Sequence, residues 1–179
     1  MRKGGSKQKG ASFEREVCVM LSTWITSGTR EDVFWRSAMS GGRATAAFAK
    51  GRSLGAQVGD LSCIYPKGNR FISTFAVECK FYAKLDYEGL LTGKGKLLAF
   101  WAEINEQAKR YNKLPFLVCR QNRMHPHICL DNAGMQELDL YDHQTLLISR
   151  PEDIFIFNTK HFFKVCKPYV DDDRRPPSD

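Results

Sequence analysis

The feature that most constrains this chain is the run Phe75-Ala76-Val77-Glu78-Cys79-Lys80-Phe81, which sets a carboxylate and an ammonium two residues apart within an apolar segment. Side chains alternate across a strand, so Glu78 and Lys80 share one face while Val77, Cys79 and Phe81 share the other. Burying two charges side by side is costly, and a strand that does so usually gives them something to hold, most often a hard cation and its water.

The preceding segments supply possible partners. Asp60-Leu61-Ser62-Cys63-Ile64-Tyr65 has strand character, Pro66-Lys67-Gly68-Asn69 reads as a turn, and Arg70 to Phe81 reads as a longer strand. An antiparallel hairpin of this kind brings Asp60 beside Glu78 and Lys80. Upstream, Ser12 is placed as an N-cap, and Phe13, Val17, Met20, Leu21 and Trp24 follow at helical spacing, predicting a helix over about 12–26. Glu14 and Glu16 then fall in its first turn, where carboxylates favour the helix dipole. Asp32 to Ser37 reads as a further strand.

Downstream, Leu97, Leu98, Trp101, Ile104, Ala108 and Tyr111 mark one face of a long helix, on which Gln107 and Tyr111 are neighbours. Leu114 to Arg120 is the next strand. Strand, hairpin, helix and strand together predict an α/β fold, a central mixed sheet flanked by helices. His125 to Leu130 reads as an edge strand tolerating Pro126, and Leu146 to Ser149 and Ile154 to Phe157 are further short apolar segments.

At 179 residues the chain suffices for one core and is short for two, so a single domain over 12–170 is expected. Residues 1–11, Gly- and Lys-rich, read as a flexible basic arm, and 171–179 as a disordered tail. Residues 38–59 form a long basic Gly-rich loop whose Arg43, Lys50 and Arg52 suit phosphate contacts. The formal charge of +7 favours a polyanionic partner such as nucleic acid. No run of about 18 apolar residues is present, so no membrane span is expected. Six scattered cysteines without a Cys-x-x-Cys pair suit reduced thiols and a cytoplasmic setting.

Glu14, Asp60, Glu78 and Lys80 can converge. Carboxylates at close range repel unless a cation neutralises them, and an all-oxygen set suits magnesium, with manganese able to substitute. Such an ion polarises a phosphodiester and activates water, while Lys80 positions or deprotonates that water. A competing zinc site would use Cys119, His125, His127 and Cys129.

The blocks Lys9 to Val17, Val33 to Ser40, Gly59-Asp60-Leu61 and Val77-Glu78-Cys79-Lys80, continuing to Pro115-Phe116-Leu117-Val118, resemble the archaeal-type Holliday junction resolvases of the PD-(D/E)XK nuclease superfamily. The likeness covers about residues 9–120. It implies the restriction-endonuclease-like fold and a homodimer that cuts opposing strands of a four-way DNA junction, in a prokaryotic cell or a phage-infected host. In position, Asp60 and Glu78 match the metal-binding carboxylates, with the main-chain carbonyl of Cys79 a further ligand. Glu14 matches the helix-one acid, Ser40 a serine near the scissile phosphate, and Lys80 the catalytic lysine. DNA contacts are expected from Lys9, Arg36, Arg43, Lys50, Arg52 and Gln107.

Two departures stand out. The family's serine lies only a few residues before its aspartate, whereas Gly41 to Gln57 intervenes here. Gln107 and Tyr111 instead resemble the Gln-x-x-x-Tyr feature of RecB-type exonucleases, which opens the alternative of a nuclease acting on linear duplex or DNA ends. A DNA-binding module that kept the fold without chemistry is the non-enzymatic alternative.

Overall fold

The computed structural model describes residues 5–37, 58–149 and 151–170. The basic loop, with Ser40, Arg43, Lys50 and Arg52, therefore lies outside the described residues apart from its last positions, as do residues 1–4 and the tail from 171.

Helix α1 (Gly5–Ile25) opens the fold, followed by the short strands β1 (Phe34–Arg36) and β2 (Leu61–Cys63). A 3-10 turn (Pro66–Gly68) leads into helix α2 (Asn69–Thr74), then strand β3 (Phe75–Tyr82). Helices α3 (Gly89–Thr92) and α4 (Lys96–Arg110) connect to β4 (Leu114–Gln121) and β5 (His127–Leu130). The chain ends with helix α5 (Asn132–Glu137), strands β6 (Leu147–Ser149) and β7 (Ile154–Asn158), and helix α6 (Thr159–Val165).

The main sheet has five strands in the order β3-β4-β5-β7-β6. β3 and β4 run parallel, and every other pairing in it is antiparallel, so the sheet is mixed. Parallel neighbours require a crossover, which α3 and α4 supply. β1 and β2 pair antiparallel as a separate ribbon, and a parallel bridge between Gly59 and Val77 joins it to β3.

Alternation along the central strands divides the core in two. Phe75 and Val77 on β3, with Phe116 and Val118 on β4, pack towards α1, where Phe13, Val17, Leu21 and Trp24 form the apolar stripe. Ala76 on β3, with Leu117 and Cys119 on β4, packs towards α4 against Leu97, Trp101, Ile104 and Ala108. The buried hydroxyl of Ser22 accepts from the backbone N–H groups of Val33 and Phe34, both at 3.0 Å, and so directs the chain from α1 into β1.

Four sequence expectations are corrected. The first helix begins at Gly5 rather than near Ser12, so residues 5–11 belong to it and not to an arm. Lys7, Gln8 and Ala11 are good helix formers, and the Lys9 ammonium, bonded to Asn122 and 3.8 Å above the Phe81 ring, ties the early turns to the sheet. Glu14 and Glu16 consequently lie beyond the first turn, and the helix dipole is not what places them.

Secondly, Asn69–Thr74 is helical, so the long strand from Arg70 does not form. Isoleucine and threonine bias this stretch towards a strand, but packing overrides the bias. Phe71 is fully buried within 5.1–5.7 Å of the rings of Trp24, Phe34, Phe75 and Phe116.

Thirdly, β2 and β3 make no hairpin: β2 pairs with β1. Lastly, β5 lies between β4 and β7 rather than at an edge, and Pro126 stands just before it, where no ladder bond is lost.

Asp131 caps α5, its Oδ1 accepting from Gly134 N at 2.7 Å. Asp131→Ala is expected to cost about 1 kcal/mol in a urea melt.

Candidate active site

Asp60 stands at the seam between the ribbon and the main sheet. Its N–H donates to Val77 O at 2.8 Å, its own carbonyl accepts from Ser37 N at 2.7 Å, and its Oδ2 accepts from Cys79 N at 2.8 Å. The seam closes this tightly because residue 59 is glycine. Gly59 has φ +96°, and a Cβ there would lie 2.3 Å from Val77 O. The juxtaposition of Asp60 with Glu78 expected from a hairpin is thus achieved by a parallel bridge instead.

Glu78 and Lys80 leave β3 on one face, as alternation requires, and Lys80 Nζ lies 2.8 Å from Glu78 Oε1. The ammonium also sits 3.3 Å from Glu103 Oε2 and 5.0 Å above the Phe100 ring, both on α4. Glu103 was not singled out in the sequence. Its only signal there was a position on the polar flank of the α4 stripe, one turn before Gln107. Gln107 is half-buried one turn beyond Glu103, and Tyr111 packs at the edge of the α4 core.

Glu14 faces the site from α1 and accepts from Arg36 Nε at 2.5 Å, a contact that occupies the guanidinium on the protein side. A parallel contact joins Arg120 to Glu16 at 2.6 Å.

The electrostatics follow from burial. Asp60 is 6% exposed, and burial, then the charge of Glu78, push its carboxyl up to about 8 against the opposing pull of the Cys79 N–H. Burial likewise raises Glu78, opposed by Lys80. Burial disfavours the charge on Lys80, but Glu78 and Glu103 together outweigh it and raise the ammonium.

Among the described residues, no group of three or more His, Cys, Asp or Glu is drawn close enough to hold a metal ion. The zinc alternative is not assembled. His127 Nδ1 is hydrogen-bonded to the Tyr87 hydroxyl at 2.8 Å, the Cys119 and Cys129 sulfurs are 3.9 Å apart, and His125 is exposed. The Asp60 and Glu78 pair does suit magnesium, which commonly takes one or two protein carboxylates and keeps several waters. Both groups are buried oxygen donors, and the charge of Glu78 raises the proton affinity of Asp60, the condition that a hard cation relieves.

No helix among the described residues is long and apolar enough to cross a membrane. No curated protein and no solved structure matches the chain. Its sequence does match, over residues 5–168, the family described as phage putative PDDEXK endonuclease. That span takes in the mixed sheet, the Gly59 to Val77 seam and the Asp60, Glu78 and Lys80 set, and the chain belongs to this family of PD-(D/E)XK nucleases.

Proposed function

We propose that the protein is a magnesium-dependent, structure-selective DNA endonuclease that hydrolyses phosphodiester bonds in branched DNA, a Holliday junction resolvase acting as a homodimer. The observation that carries the nuclease reading is the seam itself, which sets Asp60 against the Cys79 amide while Glu78 projects beside Lys80. Junction specificity rests on the resemblance of the sequence blocks within residues 9–120 and on the basic charge of the chain.

Asp60, Glu78 and the main-chain carbonyl of Cys79 would hold the ion, with Glu14 completing the set on exchanging its Arg36 contact. When bound, magnesium or manganese supplies Lewis acidity to the phosphate and a water of lowered pKa. Lys80, kept protonated by its two carboxylates, orients that water and balances the charge developing on the phosphate oxygens rather than serving as the base. Arg36, when released by Glu14, reaches towards a phosphate, and Lys9 and Gln107 border the path. In this reading Ser40, Arg43, Lys50 and Arg52, outside the described residues, supply further contacts to the backbone.

A second reading, a nuclease acting on linear duplex or DNA ends, is favoured by one observation. Gln107 and Tyr111 follow Glu103 at successive turns of α4, and Glu103 touches Lys80. Cleavage of an end-labelled four-way junction, beside matched linear duplex and single strand in magnesium, separates the two. Paired symmetric nicks across the junction are the expected result. Products confined to DNA ends would replace the resolvase reading with the exonuclease one.

A further inference from the structure

The chain has three tryptophans, and two are structural. Trp24 and Trp101 are buried, their indole N–H groups donating at 2.9 Å to Cys166 O and Glu152 O. Trp35 differs: it is 58% exposed on β1, between Phe34, which is buried in the core, and Arg36, which holds Glu14. Two residues after it, Ser37 N bonds the carbonyl of Asp60. An aromatic side chain of this size left in solvent beside a candidate active site is unlike its two counterparts, and no packing among the described residues accounts for it.

Register places the indole. Trp35 pairs with Ser62, so the two share the outer face of the β1–β2 ribbon. Ile64, 60% exposed, continues that face, and Tyr65 follows it, with the Arg30 guanidinium 4.2 Å from its ring. The ribbon thus carries a strip of exposed large side chains, with Ser62 among them, that starts near the Asp60 seam and runs away from it.

Resting on the nuclease reading, we propose that Trp35 is a stacking platform for an unpaired base of the DNA substrate, next to the scissile phosphate. Continuity with the catalytic seam and charge argue for a nucleic acid as the occupant. Lys67 is exposed at the far end of the strip, and the sequence following Ser37 carries Arg43, Lys50 and Arg52 with no acidic residue before Asp60. A base within a duplex has both faces covered by its neighbours, whereas one splayed at a branch point or a frayed end offers a face to the indole. Trp35 therefore selects for DNA structure and not for sequence.

The test uses the full chain in EDTA, so that binding is read without cutting. Because Trp24 and Trp101 are buried, the red-edge tryptophan emission reports Trp35. A single-stranded oligothymidine or a four-way junction is expected to quench it, and a blunt duplex to leave it nearly unchanged. By anisotropy of labelled DNA, Trp35→Ala should weaken single-strand and junction binding about tenfold and Trp35→Phe no more than about threefold, with blunt duplex within twofold for both. In magnesium, Trp35→Ala should raise KM and leave kcat unchanged. Emission untouched by saturating single strand, or wild-type affinity in Trp35→Ala, overturns the proposal. So does conversion of a dimer to a monomer by that substitution without loss of DNA affinity, which would make the strip a contact between copies. A protein that shows the quench and the affinity loss but cuts nothing would sink the nuclease reading while sustaining the stacking role; one that cuts junctions with KM unchanged in Trp35→Ala would do the reverse.

Discussion

Glu78→Gln is expected to lower magnesium-dependent cleavage by about three orders of magnitude, a loss of about 4 kcal/mol of transition-state stabilisation. The substitution keeps the volume and one acceptor oxygen but removes the charge that the ion needs. It also makes the 2.8 Å partner of Lys80 neutral and leaves Glu103, at 3.3 Å, as its remaining charged one. The fall should appear in the single-turnover rate rather than in DNA affinity, because nothing in the proposed binding surface is altered. Folding should not suffer, since burial already disfavours the Glu78 charge. A circular-dichroism melt alongside the rate measurement separates lost chemistry from lost structure. Cleavage by Glu78→Gln within tenfold of the unmodified protein would remove Glu78 from the metal site.

The part of the strand that carries this residue was legible in sequence, though its start at Phe75 was not. Alternation alone set Glu78 and Lys80 on one face and Val77, Cys79 and Phe81 on the other, and that is their arrangement. The helical stripe from Leu97 to Ala108 was equally plain, because a period near four over fifteen residues leaves little room for another element. What escaped were features decided by contacts distant in sequence. The helix at Asn69–Thr74 exists because Phe71 fills an aromatic cluster drawn from four separate elements, which local propensity cannot register. The half of the sheet after Arg120 was legible only as short apolar segments, whose order and pairing escaped for a related reason. β5, β6 and β7 are three to five residues long, too short for alternation to say which strand lies beside which.

The site shows the same division. Asp60 and Glu78 were paired correctly from a wrong topology, since a hairpin and a parallel bridge both bring the start of one segment beside the next. Only the structure reveals why Gly59 is required: its φ is positive, and a Cβ there, 2.3 Å from Val77 O, would force the two segments apart. Likewise Glu14 and Arg36 were each singled out, one as a ligand and one as a DNA contact, but sequence gave no sign that they bind each other. In the structure the two satisfy one another, so the roles proposed for them require that contact to open.

The buried carboxyl of Asp60 gives the site a pH signature. Burial and the neighbouring charges of Glu78 and Glu14 raise its carboxyl from 3.8 to about 8, so the folded protein binds this proton more tightly than the unfolded chain does. The stabilisation is fully present below about pH 4 and is lost as pH rises towards about 8. Asp60→Asn removes the titration and keeps an oxygen that accepts from Cys79 N. In EDTA its melting temperature should match that of the unmodified protein near pH 4 and exceed it progressively up to pH 8, by an amount on the order of 3 kcal/mol. Taking the difference between the two proteins cancels the titration of carboxylates and histidines remote from Asp60, and leaves that of Asp60 with its neighbours Glu78 and Glu14. Magnesium at pH 8 should close most of the gap, because a cation bound by the folded state offsets the buried charge of Asp60 and finds a weakened site in the variant. Parallel melting curves across the whole range would mean that Asp60 is ionised at no cost in the folded protein, and that the seam does not confine charge as its geometry requires.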